Sequence, residues 1–106
     1  MRTWLGLIAG LGLCLASFLT SASGQESGGP DLTGRLGCFA CHSLRGFGGG
    51  DRASPLDDIG ARLSRADLQK VVTYPRQLHP GAKMPSYAYL PPAELQTLLD
   101  FLGSLK

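Results

Sequence analysis

Residues 38–42 read Cys38-Phe39-Ala40-Cys41-His42, and this stretch decides how the rest of the chain is interpreted. Two cysteines at positions i and i+3, followed directly by a histidine, form the attachment motif of c-type haem. Two thiols one turn apart can each form a thioether with a vinyl group of the macrocycle, and the adjacent imidazole can then bind the iron. The motif therefore predicts one covalent haem c, attached through Cys38 and Cys41 and ligated by His42.

Three other uses of this motif fit the sequence less well. A thioredoxin-like redox pair requires a βαβ framework, and no runs of β-branched residues flank residues 38–42. A structural zinc site usually needs four ligands, which Cys38, Cys41, His42 and the distant His79 could supply only with an unusual spacing. A disulfide between the two motif cysteines would close too short a loop to stabilise the chain much.

The first residues have the pattern of an export signal. Arg2 supplies a positive charge, residues 4–19 are almost wholly apolar, and residues 20–24 are small and polar. This order is typical of a secretory signal peptide, predicted here over residues 1–24. We expect cleavage near residues 22–24, after Ala22 or Gly24, and a periplasmic location. An uncleaved membrane anchor is the alternative, because the apolar stretch approaches the roughly 20 residues that span a bilayer.

The sequence after the predicted signal is long enough for one small domain only. Residues 25–30 are predicted to form a flexible linker, and residues 31–106 the folded domain. A domain of this size usually needs a further constraint on its fold, and a covalently held haem is one. The net charge of +2 and the absence of a basic stripe give no reason to expect nucleic acid as a partner.

Short helices joined by loops are predicted throughout the domain, with no convincing strand. Asp31 is expected to cap a first helix that runs toward Gly37. Ser64 and Asp67 form a capping pattern for another helix, which Pro75 is expected to end. Leucines at three- and four-residue steps predict the last helix, namely Leu95, Leu98, Leu99, Leu102 and Leu105. The fold class is therefore all-α.

Two loops separate these helices, and the second contains a candidate iron ligand. Gly46 to Asp51 is predicted to be a glycine-rich turn, and Pro75 to Tyr89 an extended loop because it contains several prolines. Met84 lies in the extended loop, and a thioether ligand would raise the reduction potential of the iron. The alternatives are a Met that only fills a gap in the core, or ligation by His79, which would lower the potential.

These residues together resemble the class I cytochromes c, which are small soluble monohaem carriers. The resemblance covers residues 31–106 and rests on residues 38–42, on Pro80-Gly81-Ala82-Lys83-Met84, and on Ser54-Pro55-Leu56 with Arg62. It implies a cytochrome c-like fold of three to four short helices wrapped around one covalent haem, with Met84 as the sixth ligand. It further implies that His42 donates to the carbonyl of Pro55 and that Arg62 lies near a haem propionate.

The chain departs from the pattern of this family at two places. The family commonly has an aromatic residue in the first helix, packed on the last helix, where this chain has Thr33 and Gly34. A short or shifted first helix is therefore expected, with Phe101 packing elsewhere. Ala82 replaces a hydroxyl residue that is common just before the methionine ligand.

The function implied by the resemblance is that of a periplasmic electron carrier and not of an enzyme. A haem ligated by His42 and Met84 would shuttle single electrons between redox proteins that it meets transiently. A monomer is expected, with membrane contact only through its partners or an uncleaved N-terminus. The alternatives are a cytochrome subunit of a membrane-associated oxidase or reductase, and a five-coordinate haem sensor or peroxidase in which Met84 does not bind.

Overall fold

The computed structural model describes residues 28–50 and 52–106, and it is built mainly of helices. The predicted signal peptide, and the linker as far as residue 27, lie outside the described residues. In the described part we number five α-helices and two strands, with one 3₁₀ turn over Cys38–Ala40. The elements are α1 (Gly29–Arg35), β1 (Ser43–Leu44), β2 (Phe47–Gly48), α2 (Ile59–Arg62), α3 (Arg65–Thr73), α4 (Pro75–Leu78) and α5 (Pro92–Ser104).

Helix α1 begins earlier than the sequence predicted. Its N-cap is Gly28, and Pro30 lies in the first turn, where its missing N–H has no intrahelical partner to lose. Asp31 lies inside the first turn and makes no capping hydrogen bond, so the prediction that it caps the helix is wrong. The predicted linker over residues 25–30 is corrected as well, because Gly29 and Pro30 belong to α1.

The first and last helices pack in direct contact at Gly29. A Cβ atom added there would lie 2.1 Å from Cβ of Phe101, so only a glycine allows this approach. The expectation that Phe101 packs elsewhere is therefore wrong, since the aromatic ring of α5 lies against a backbone position of α1. Thr33, near the position where the family has an aromatic residue, is fully buried, and its hydroxyl donates to the carbonyl of Pro30 at 2.7 Å.

Helix α3 follows the sequence prediction closely. The hydroxyl of Ser64 accepts the backbone N–H of Asp67 at 3.2 Å, and the helix ends at Thr73. Pro75 does end α3, but it also begins the single turn of α4, because proline is well suited to the first position of a helix. The extended loop was predicted to begin at Pro75, but it begins only after α4. His79 follows that helix and has extended backbone geometry.

The core lies between α5 and the helices α1, α2 and α3. The most deeply buried aliphatic side chains are Leu32, Leu68, Leu98 and Leu99. Full burial of a leucine contributes about 1.5–3 kcal/mol, so the leucine stripe of α5 is a major part of the stability, as the sequence predicted.

Among the helices of residues 28–50 and 52–106, none is both long enough and apolar enough to cross a membrane.

Candidate functional site

The two motif cysteines lie on one tight turn of backbone. The carbonyl of Cys38 accepts the N–H of Cys41 at 3.2 Å and the N–H of His42 at 2.9 Å. Gly37 enters this turn with a φ of 79°, a left-handed geometry that favours glycine. Both cysteines are free thiols; Cys38 is half-buried and Cys41 is exposed. One turn of backbone therefore contains both cysteines and ends at His42.

The imidazole of His42 is oriented by a backbone carbonyl. Its Nδ1 lies 2.7 Å from the carbonyl oxygen of Ser54. Because a carbonyl only accepts, Nδ1–H is the donor in this contact, and in the neutral ring Nε2 then has the lone pair that can bind a metal. The acceptor implied by the resemblance was the carbonyl of Pro55, so that prediction is off by one residue.

The carbonyl of Pro55 has a different partner, which is Arg62. Nη2 of Arg62 donates to this oxygen at 2.7 Å, and Nε of the same guanidinium donates to Oδ1 of Asp58 at 2.8 Å. Arg62 thereby fixes the segment next to Ser54. The propionate contact of Arg62 stays a prediction, while its contacts in this structure support the loop that orients His42.

A short β-hairpin follows His42 directly. Ser43 pairs with Gly48 and Leu44 with Phe47, and the turn residues Arg45 and Gly46 have φ values of 49° and 78°. Two left-handed residues in succession are the geometry of a type I′ turn, which matches the twist of a hairpin. The sequence pattern predicts only a glycine-rich turn and no strand here, so this part of the prediction is corrected by the hairpin.

The hairpin contacts both the motif at residues 38–42 and the segment that follows the glycine-rich residues. The ring of Phe47 packs edge-on against the ring of Phe39 in the motif, with their centroids 5.2 Å apart. The backbone N–H of Arg45 donates to Oδ1 of Asp57 at 2.9 Å, and the N–H of Leu56 donates to the carbonyl of Ser43 at 2.7 Å. The segments before and after the glycine-rich residues are therefore held together by hydrogen bonds.

The loop that carries Met84 is fastened to the end of α3. The hydroxyl of Ser86 donates to the carbonyl of Thr73, and the N–H of Tyr87 donates to the carbonyl of Val72 at 2.9 Å. Met84 itself is half-buried and packs against the core, whereas His79 is exposed. Of the two candidates for the sixth ligand, only Met84 is therefore turned toward apolar surroundings.

Tyr87 connects this loop to the segment before the motif. Its hydroxyl donates to the carbonyl of Leu36 at 2.7 Å, two residues before Cys38. Burial raises the pKa of Tyr87, and negative charge on Cys38, Tyr89 and Cys41 raises it further. Burial also raises the pKa of the Cys38 thiol, partly offset by a hydrogen bond from the backbone. Sequence reasoning missed Tyr87, because nothing in the pattern distinguishes it from Tyr89.

The donor set fits a haem better than it fits a bare metal ion. One imidazole with a free Nε2, two free thiols on one turn and one thioether near the core are the groups that a c-type haem uses. In the described residues, no three His, Cys, Asp or Glu side chains come together as a metal-binding group. The zinc alternative therefore gains no support from the geometry.

Comparison with known proteins identifies a family. The family model described as Cytochrome c matches residues 27–106, a range that contains every candidate ligand named above. No curated protein and no solved structure matches significantly.

Proposed function

The chain belongs to the cytochrome c family, and on that premise we propose that it is an exported electron carrier with one haem ligated by His42 and Met84. Membership of the family implies covalently bound haem c and, in general, electron transfer. A single observation supports the proposal most strongly: the Ser54 carbonyl holds the His42 ring with Nε2 free, beside a turn that carries two free thiols.

The two cysteines are proposed to hold the cofactor permanently. Thioethers from Cys38 and Cys41 would fix which face of the macrocycle meets His42, since all three residues lie on one turn. The carbonyl of Ser54 would fix the orientation of the imidazole plane and increase the basicity of the ligating nitrogen. When bound, haem supplies one-electron chemistry by cycling between ferric and ferrous iron.

Met84 is proposed as the sixth ligand. A thioether in apolar surroundings favours ferrous over ferric iron and so raises the reduction potential. The hydrogen bonds of Ser86 and Tyr87 to the end of α3 would limit how far the sulfur can move when the iron changes oxidation state. With both residues bound, the iron would have no open position for a substrate, as a carrier requires.

Export to the periplasm is proposed from the sequence alone. Residues 1–24 have the order of charged, apolar and small residues that is typical of a signal peptide. We further propose that the mature protein is a monomer that meets its redox partners transiently, makes no contact with nucleic acid, and touches a membrane only through those partners or a retained N-terminus.

The partner proposed for this carrier has an acidic surface. No acidic residue occurs between Asp67 and Glu94, so the stretch that contains the loop of Met84 has only basic charges. Arg76 and Lys83 are exposed there, and neither forms an ion pair with a carboxylate of the described residues. Tyr74, two residues before Arg76 in the chain, is 54% exposed and adds apolar surface to this stretch. Electrostatic steering speeds association when the two surfaces carry opposite charge.

Optical spectra of the purified protein test the proposed ligation. The ferric protein is expected to show the weak long-wavelength charge-transfer band of sulfur–iron ligation, and the ferrous protein the sharp bands of low-spin haem. A high-spin ferric spectrum would indicate a five-coordinate sensor or peroxidase instead. Purification only as part of a membrane complex would indicate a subunit of an oxidase or reductase.

A further inference from the structure

Gly49 packs directly on the backbone of the haem motif. A Cβ atom added at this position would lie 2.2 Å from the carbonyl carbon of Cys41, 2.3 Å from its oxygen and 2.7 Å from the backbone nitrogen of His42. These atoms are the peptide unit that joins the second attachment cysteine to the histidine. Backbone cannot move aside as a flexible side chain can, so any residue other than glycine would displace this peptide.

Hydrogen bonds hold Gly49 in this position. Its N–H donates to the carbonyl of Phe39 at 2.8 Å, inside the motif. The preceding residue, Gly48, pairs with Ser43 and has a φ of 95°, and a Cβ there would lie 2.8 Å from the carbonyl oxygen of His42. The returning strand of the hairpin therefore lies along the backbone of residues 39–42 at a distance that side chains do not permit.

The backbone next to His42 is held from a second direction as well. The carbonyl of Ser43 accepts the N–H of Leu56 at 2.7 Å, and the carbonyl of Ser54 accepts Nδ1 of His42. A peptide pushed away from Gly49 would shift His42 relative to Ser54. The imidazole is thus located by contacts on two sides, and Gly49 forms one of them.

We propose that Gly49 is a positioning residue for the axial ligand: its close contact with the Cys41–His42 peptide sets where the His42 ring stands relative to the carbonyl of Ser54. The proposal rests on His42 being an iron ligand, and it does not depend on which residue binds the opposite face. Gly49 does not touch the reacting atoms. Its effect passes through the backbone to the imidazole.

The test is the variant Gly49→Ala in the full-length holoprotein. We expect a shift in reduction potential and in the paramagnetically shifted NMR resonances of the His42 ring in the ferric protein. A residue with a purely structural role would change the stability but would leave both of these unchanged. The matched controls are Gly46→Ala and Gly81→Ala, because a Cβ at either position meets nothing within 4 Å.

The two controls distinguish the effect of backbone strain from the effect of a Cβ that clashes with the Cys41–His42 peptide. Gly46 lies in the same hairpin with a φ of 78°, so Gly46→Ala should lower the stability without moving the His42 resonances. Gly81 lies three residues before Met84 and has no strained φ. Gly81→Ala should therefore change neither the stability nor the His42 resonances. Unchanged potential and resonances in Gly49→Ala would overturn the proposal, whatever happens to the stability.

A second variant keeps the test decisive where Gly49→Ala yields no holoprotein. Phe47→Ala removes the edge contact with Phe39, which holds the hairpin against the motif, and Phe47 is 69% exposed. It should shift the His42 resonances with the fold intact, and unchanged resonances would count against the proposal. A wild-type protein in which His42 does not bind iron would refute the proposed function itself, so the two failures are distinguishable.

Discussion

Replacing Tyr87 by phenylalanine should weaken the connection between the Met84 loop and the haem motif. The Tyr87 side chain is only 6% exposed, and its hydroxyl donates to the carbonyl of Leu36 at 2.7 Å. The substitution keeps the ring and its packing and removes only the hydroxyl. The carbonyl of Leu36 then loses the only hydrogen-bond partner that the described residues give it.

The expected loss of stability follows from the partial burial of this carbonyl. A buried acceptor left without a partner costs about 1–3 kcal/mol. Leu36 is half-buried, so the lower part of that range applies, and water can partly satisfy the oxygen. We expect a decrease of about 1–2 kcal/mol in the free energy of unfolding. For a domain of this size, such a change lowers the melting temperature by roughly 5–15 °C.

The adjacent Tyr89 provides the control for this experiment. It is 71% exposed, and its hydroxyl makes no hydrogen bond within the described part of the chain, so Tyr89→Phe should leave the stability nearly unchanged. Guanidinium unfolding of both holoproteins, followed by far-ultraviolet circular dichroism and haem absorbance, measures the difference. If the free energies of unfolding of Tyr87→Phe and Tyr89→Phe differ by less than about 0.5 kcal/mol, the hydrogen bond of Tyr87 contributes less than we expect.

The pH dependence of stability gives an independent check on Tyr87. Burial raises its pKa above the ordinary value of 10.0, so the native state holds the phenolic proton more tightly than the unfolded chain does. The stability linked to this proton is fully present below the ordinary pKa and is lost as the pH rises above it. Tyr87→Phe should therefore lose less stability than the wild type between neutral and strongly alkaline pH.

Three further predictions concern the cofactor and the partner surface. Cys38→Ala combined with Cys41→Ala should abolish covalent attachment, and a haem stain on a denaturing gel that still detects the double variant would contradict this. Met84→Ala should lower the reduction potential and open the sixth position while His79→Ala changes neither; the reverse result in voltammetry would make His79 the ligand. Arg76→Glu should slow the one-electron oxidation of the ferrous protein by the anion hexacyanoferrate(III) at low ionic strength more than Lys106→Glu does. Equal rates for these two variants, which change the net charge equally, would refute a local basic surface.

Features that depend on neighbouring residues could be predicted from the sequence. The turn at residues 38–42 contains local backbone hydrogen bonds from Cys41 and His42 to Cys38, and the cap of α3 joins Ser64 to the residue three positions later. The leucine stripe of α5 follows from helical periodicity alone. For the same reason the candidate attachment residues Cys38 and Cys41 and the candidate ligand His42 could be identified from the sequence alone.

Features that depend on distant contacts could not be predicted. Arg45 adopts a left-handed φ that its residue type does not favour, because the hairpin and the hydrogen bond to Asp57 compensate for the strain. The contact of Gly29 with Phe101 joins residues at opposite ends of the domain. The acceptor for His42 is Ser54, while the carbonyl of the adjacent Pro55 accepts from Arg62.

The two proposed ligands are held in different ways, and this difference has a consequence for the chemistry. His42 belongs to a turn that would be fixed by covalent attachment, and its ring and its neighbouring peptide are held by Ser54 and Gly49. Met84 lies on a loop whose described anchors are hydrogen bonds of Ser86 and Tyr87. Local unfolding starts where the fewest contacts must break. We therefore expect denaturant to remove the sulfur ligand before the imidazole, so that the ferric charge-transfer band is lost before the helical circular dichroism.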